Sequence, residues 1–183
     1  MSEQRRAILL AVGGGIAAYK AATVCSRLVQ SGYDLRTAMT ASASQFIGAA
    51  TFAALSGKTV AQGSFDPERF PLGAHIEWTR DLDLLIVAPA TANLLAKFAS
   101  GLADDLISTL YLQAECPVLL APAMSASMWS KPSVQRNVET LRRDGCHFVG
   151  PESGWLSCRV RGEGRMAEPD TIVAAAIQRV LAS

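Results

Sequence analysis

A chain of 183 residues has the length of one ordinary domain. Half of its residues are hydrophobic and 18% are charged, which excludes an intrinsically disordered chain. With 17 basic against 16 acidic residues it carries no electrostatic footprint for nucleic acid, and no apolar run approaches the roughly 20 residues of a membrane span.

The first element, Arg6 to Val12, is a continuous apolar run that reads as a buried strand and ends at Gly13-Gly14-Gly15. The chain reaches those glycines too early for a signal peptide, and its four cysteines (Cys25, Cys116, Cys146, Cys158) show neither CxxC nor metal spacing. Free thiols in a reducing cytoplasm are therefore expected, with no metal site. Ile16 to Val29 carries apolar residues at helical spacing and closes at Ser31-Gly32. Asp34 to Met39 reads as a second strand, followed by the hydroxyl-rich turn Thr40-Ala41-Ser42-Ala43-Ser44 and a helix through Ala54. Ser56 to Gly73 holds Gly, Pro and mixed charge and reads as a loop. Leu82 to Val87 is the next buried strand, which Ala88-Pro89 should break before a helix around Asn93 to Ala99. Leu102 to Leu112 is predicted helical, Pro117 to Leu120 a strand, Ser133 to Arg143 an amphipathic helix, His147 to Val149 a short strand and Asp170 to Leu181 a terminal helix. The polar, glycine-bearing stretch at about 151–168 reads as a flexible flap. Buried strands alternating with helices predict a single doubly wound α/β domain, flavodoxin-like or Rossmann-like, with a parallel sheet covered on both faces. Ligands in such folds bind beyond the carboxyl ends of the strands. The apolar composition also points to surface buried between subunits.

The loops at those ends carry the informative residues. Gly13-Gly14-Gly15-Ile16-Ala17-Ala18 satisfies Gly-x-Gly-x-x-Ala between strand and helix, either a tight turn or a cradle for a phosphate. It is not a P-loop, because no Gly-Lys-Ser/Thr follows. The second strand ends in Thr40-Ala41-Ser42, not in the acid that grips a nicotinamide cofactor's ribose, which favours FMN over NAD. Two Ala-Pro-Ala turns follow later strands, at Ala88-Pro89-Ala90-Thr91-Ala92-Asn93 and Ala121-Pro122-Ala123-Met124-Ser125. Met124, Met128 and Trp129 would pack a flavin face or serve as core. Of two histidines, His147 starts a strand and reads as structural, whereas His75 follows a loop in Gly73-Ala74-His75-Ile76-Glu77-Trp78. Cys25 sits in a helical pattern as packing; Cys158, among arginines on a polar segment, is the candidate reactive thiol.

Taken together these motifs resemble, from about Ala7 to Pro169, the homo-oligomeric flavin-containing cysteine decarboxylases. Gly14-Gly15-Ile16-Ala17-Ala18-Tyr19-Lys20 looks like that family's phosphate loop, and His75-Ile76-Glu77 like its active-site histidine motif. Ala88 to Asn93 looks like its flavin-contacting turn, and Cys158 with Gly164-Arg165-Met166-Ala167-Glu168-Pro169 like its substrate flap. The resemblance implies FMN as cofactor, held by Gly14, Gly15, Ile16, Thr40, Ser42, Phe46, Ala88, Pro89, Thr91 and Asn93. It implies that His75 serves the oxidative half of the reaction and Cys158 donates a proton in the reductive half, with Met124, Ser125, Arg165 and Met166 at the substrate. It further implies homotrimers or multiples of trimers, a cytoplasmic setting, and a partner in the synthetase of the preceding step. The most similar branch converts 4′-phosphopantothenoylcysteine to 4′-phosphopantetheine in coenzyme A biosynthesis. Two positions depart: Ser125 stands where the family has a substrate-holding Asn, and Arg159 where it commonly has Gly. Those departures keep two alternatives in view: oxidative decarboxylation of a peptide's C-terminal cysteine, and a flavin-binding regulatory subunit with reduced turnover.

Overall fold

The computed structural model describes residues 6–63, 68 and 70–182. Residues 64–67 and 69 of the expected loop, and residues 1–5 and 183, lie outside them.

The chain opens with strand β1 (Ala7–Val12), helix α1 (Ala18–Gln30), strand β2 (Asp34–Met39), helix α2 (Ala49–Ser56) and the two-residue strand β3 (Val60–Ala61). Helix α3 (Ala74–Thr79), β4 (Leu84–Ala90), α4 (Ala92–Ala99), α5 (Leu106–Gln113) and β5 (Val118–Pro122) follow. The remainder is α6 (Ala126–Trp129), α7 (Pro132–Arg143), β6 (His147–Phe148), the hairpin β7 (Glu152–Trp155) and β8 (Arg161–Arg165), and α8 (Pro169–Ala182). Six strands form a parallel sheet in the order β3-β2-β1-β4-β5-β6, as the expected doubly wound fold requires.

Every residue of β1 and β4 is buried, because helices cover both sheet faces and alternate side chains feed opposite layers. Ile8, Leu10 and Val12 pack with Leu28 of α1, Phe52 of α2 and Ile172 of α8. Leu9 and Ala11 face the other layer, with Leu94 and Leu95 of α4, Ile107 of α5 and Val138 of α7. The strand order reverses between β1 and β4, which opens a crevice at their carboxyl ends.

The structure departs from the sequence reading in instructive places. Helix α1 starts at Ala18, two residues late, and Ile16 stands 59% exposed. Strand β4 runs through Ala88-Pro89 to Ala90; a register shift after Val87 accommodates the proline, which has no N–H to give to the ladder. Helix α5 begins at Leu106 because Asp105 and Ser108 form a capping box there. Strand β3 and helices α3 and α6 are too short to give a periodic signal. The 151–168 segment, read as a loop, contains an antiparallel hairpin whose paired residues are mostly Gly, Ser and charged, so no hydrophobic alternation announces it. All four cysteines are free, as expected. Among the described residues no helix is long and apolar enough to cross a membrane.

Candidate active site

The glycine loop after β1 is shaped by close backbone approach. A Cβ on Gly13 would stand 2.2 Å from the Pro89 carbonyl oxygen, and one on Gly14 would stand 2.3 Å from Ser42 Cβ. The loop is thus wedged between the end of β4 and the turn after β2. A Cβ on Gly15 would meet Thr91 Cγ2 only at 3.9 Å, because that residue faces open space. Thr40 Oγ1 accepts from the Ala43 N–H at 3.0 Å, and Thr91 Oγ1 caps α4 by accepting from the Leu94 N–H at 3.3 Å.

These loops enclose a cavity of about 420 Å³, within the usual size range of small-molecule sites. Gly14, Gly15, Thr40, Ser42, Thr91 and Asn93 line it, six of the ten residues expected at the cofactor. The other four do not. Ile16 lines the neighbouring cavity, and Phe46 stands 49% exposed beyond a short 3-10 turn. Ala88 is wholly buried in the core and Pro89 is buried within β4, so these two shape the wall from behind the glycine loop. The lining fits a flavin mononucleotide: hydroxyls and glycines offer polar contacts, and Ala123, Met124 and Met128 offer apolar ones.

The sequence reading missed two charged residues of this cavity, Lys97 and Asp105. Lys97 Nζ lies 2.6 Å from Asp104 Oδ1 and 2.6 Å from Asp105 Oδ2, and the two carboxylates raise the ammonium's pKa. Burial pushes the Asp105 carboxyl up, yet hydrogen bonds from Lys97 and Ser108 outweigh it and hold the group below the usual carboxylate range. Lys97 lies four residues after Asn93, hence on the same face of α4, which is the signal that identifies it.

A second cavity of about 340 Å³ opens beneath the hairpin and shares Gly15, Ala123 and Met124 with the first. All four residues expected at the substrate line it: Met124, Ser125, Arg165 and Met166. The hairpin is seated on the turn after β5, where the Met124 N–H donates to the Gly164 carbonyl at 2.9 Å. Gly164 has φ +126°, and a Cβ there would stand 2.4 Å from the Met124 carbonyl oxygen. Ile16, Tyr19, Lys20 and Trp155 complete the wall, and none of these was assigned to a substrate from sequence.

His75 and Cys158 line neither cavity. His75 is half-buried on α3, its carbonyl accepting from Thr79 Oγ1 at 2.7 Å and its ring folded back over Gly73. Cys158 is exposed in the turn of the hairpin, next to Ser157, which does line the second cavity. Burial pushes the thiols of Cys25 and Cys116 up to about 11, so these remain protonated packing groups. A larger cleft of about 660 Å³, lined by Arg6, Asp34, Arg36 and Asp83, lies at the opposite, amino edge of the sheet. An Arg6–Asp83 ion pair at 3.0 Å spans it, and none of the expected site residues is there.

The Flavoprotein family profile matches residues 1–181. The chain is 45% identical over 168 residues to the coenzyme A biosynthesis bifunctional protein CoaBC of Bacillus subtilis (strain 168), covering 92% of this chain and 41% of that one. It is 46% identical over 168 residues to the CoaBC protein of Mycolicibacterium smegmatis, covering 92% of this chain and 40% of that one. The chain therefore spans about two fifths of the length of these curated relatives. Among solved structures, the FMN-dependent cysteine decarboxylase SpaF superimposes with a TM-score of 0.80 at 36% identity, over 96% of this chain and 97% of that one. A cysteine-to-serine mutant of a PPC decarboxylase, complexed with pantothenoylaminoethenethiol, superimposes with a TM-score of 0.85 at 28% identity, over 96% of this chain and 98% of that one.

Proposed function

The chain belongs to the Flavoprotein family, and from that premise we propose that it is an FMN-dependent carboxy-lyase that converts 4′-phosphopantothenoylcysteine to 4′-phosphopantetheine in coenzyme A biosynthesis. The observation that carries the proposal is the pair of cavities joined at Gly15, Ala123 and Met124, one suited to a flavin mononucleotide and one beneath the hairpin that bears Cys158. The likeness to a PPC decarboxylase complexed with pantothenoylaminoethenethiol supports the choice of substrate.

In this reading Gly14, Gly15, Thr40, Ser42, Thr91 and Asn93 hold the phosphate and ribityl chain, while Met124 and Met128 pack the ring. Bound there, FMN supplies a reversible hydride acceptor, without which a cysteinyl carboxylate has no electron sink for the carbanion left by carbon dioxide. Ser125 and Met124 orient the cysteinyl end against that wall, and Trp155 and Leu156 on the hairpin keep water from it. Cys158 donates the proton that completes the saturated thiol. His75 assists the oxidative half from a neighbouring copy: on its own chain it lines neither cavity, and Ile76 beside it is an exposed apolar residue. The functional unit is accordingly a trimer or a multiple of trimers in the cytoplasm, working with the synthetase of the preceding step.

The test is an absorbance spectrum of the purified protein followed by assay on 4′-phosphopantothenoylcysteine. A yellow protein that releases carbon dioxide and forms the saturated thiol is expected. The presence of Ser125 where the resembled family has a substrate-holding Asn favours a second reading, oxidative decarboxylation of a peptidyl C-terminal cysteine. An enethiol as final product would establish it in place of the first.

A further inference from the structure

Lys20 is the one charged residue buried among the described residues, with 7% of its surface exposed. A buried ammonium must be paired, because desolvating an isolated charge is costly. Its Nζ lies 3.1 Å from Glu168 Oε1 and 3.3 Å from the Met166 carbonyl oxygen. Glu168 is shared, since it also accepts from Arg165. The cluster therefore holds two cations against one carboxylate. Lys20 holds that carboxylate below its usual range, and the Arg165 charge adds to the effect, so Glu168 stays ionised near neutral pH and one positive charge is left over. Lys20 and Arg165 line the hairpin cavity, whereas Glu168 does not. An ammonium has three donors and a guanidinium five, so donors remain on both for a ligand. The other walls, including Tyr19, Trp155 and Met166, are uncharged. Arg159, at the exposed turn of the hairpin, lines neither cavity and leaves this cluster as the cationic feature of the hairpin cavity.

We propose that Lys20 and Arg165 form an anion subsite that takes the carboxylate of the substrate's cysteinyl group. The inference rests on the decarboxylase reading above and adds which group meets which charge. A single carboxylate balances the surplus charge. The alternative anion, the phosphate monoester, sits at the far end of the pantothenoyl arm, whereas this cavity adjoins the flavin cavity at Gly15 and Met124. A carboxylate here would lie near Ser125, whose hydroxyl alone offers one donor. Loss of carbon dioxide removes the anion, so the subsite favours substrate over product. Its contribution goes to affinity, and the carbon dioxide-releasing step itself gains nothing from a carboxylate held tightly in the ground state.

The experiment uses three unreactive probes on the FMN-loaded protein, each lacking the thiol that is oxidised. N-(4′-phosphopantothenoyl)alanine keeps both anions, N-(4′-phosphopantothenoyl)ethylamine lacks the carboxylate, and pantothenoylalanine lacks the phosphate. Affinities are measured by titration calorimetry for the unsubstituted chain, Lys20→Met and the half-exposed Arg165→Met. Each substitution should weaken both alanine probes at least tenfold and leave the ethylamine probe within twofold. Equal weakening of all three probes would mean a merely structural role, and a loss confined to the two phosphorylated probes would assign the pair to the phosphate; either overturns the inference. If no probe binds the unsubstituted, flavin-loaded chain, the choice of substrate itself fails and the inference with it. Should Lys20→Met not fold, Arg165→Met and Lys20→Arg decide the matter. The arginine variant should keep the carboxylate preference, and a chain that loses it while still taking up FMN refutes the assignment.

Discussion

Ser125 starts α6 with its carbonyl accepting from the Met128 and Trp129 N–H groups, while its hydroxyl lies 3.2 Å from that of Ser127. The backbone of this turn is therefore built without the side chain, which is free to be exchanged. A carboxamide here would reach further and offer two donors and an acceptor, enough to orient a carboxylate and an adjacent amide at once. A hydrogen bond to a charged group contributes roughly 1.5–3 kcal/mol, which corresponds to about tenfold or more in rate when felt in the transition state. Ser125→Asn should accordingly speed single-turnover release of carbon dioxide at least tenfold and leave FMN affinity unchanged. An Asn variant no faster than the parent would show that orientation at this turn is already complete. Lys20, Arg165 and position 125 meet the same carboxylate, so the two sets of variants should act non-additively.

At the scale of single elements, the glycine loop combines two demands that substitution can separate. Gly14→Ala drives a methyl into Ser42, so the loop after β2 must move, and overpacking of this kind typically costs about 1–3 kcal/mol. Gly15→Ala meets nothing closer than 3.9 Å, so its methyl occupies only the space meant for a ligand. Both variants should lose FMN affinity, but only Gly14→Ala should lower the melting temperature of the flavin-free protein. Equal melting temperatures for the two would refute the account of why glycine stands at position 14. Helix α5 supplies a pH-dependent case. Asp105 caps it, and its carboxyl titrates lower in the folded chain than in the unfolded one. The unfolded chain then binds the proton more readily, so the stabilisation is fully present above the ordinary carboxylate pKa of about 3.9. It is lost as pH falls through the lower folded value. Asp105→Asn keeps a capping side chain but loses the charge paired with Lys97, so it should be less stable than the parent at neutral pH, and the gap should close at acid pH. Denaturant melts at both pH values measure it, and a gap that widened on acidification would contradict the sign.

At the scale of the whole molecule, the sheet places the two joined cavities at its carboxyl edge, while His75 stands apart on α3. Ile16, Tyr19, Phe46, Leu72 and Ile76 are among the large apolar side chains left exposed, a pattern that favours burial against further copies. If a neighbour's His75 completes each site, two inactive chains should rescue one another. His75→Asn retains an intact cavity, and Gly14→Ala retains an intact histidine. Dissociating, mixing and reassembling the pair should therefore restore decarboxylation that neither shows alone. No recovery in a mixture demonstrated to contain hybrid oligomers would assign His75 to its own chain.

Several features of this protein were legible in the amino-acid order because they are local. Arg6 to Val12 and Leu82 to Val87 are largely apolar runs bounded by breakers, and burial on both faces of a parallel sheet demands that pattern. The lining of the first cavity was legible for a related reason: glycine at 14 answers a close backbone approach, and the hydroxyls at 40 and 91 cap the turns that follow their strands. The hairpin was not legible, because its stability comes from Met124 and Ala126 packing against Gly164 and Gly162, contacts separated by some forty residues in the chain. The Lys20–Glu168–Arg165 cluster was hidden in the same way. In sequence Lys20 closes the glycine-loop motif and Glu168 belongs to the flap motif, and nothing joins the two until the fold brings residue 168 within 3.1 Å of Lys20. Sequence thus determined the fold class and which residue types stand at the strand ends, where each signal is carried by neighbours along the chain. Only the tertiary structure decided which charges share a wall and which site residues stay apart, because pairing energies depend on distance in space and not on separation in sequence.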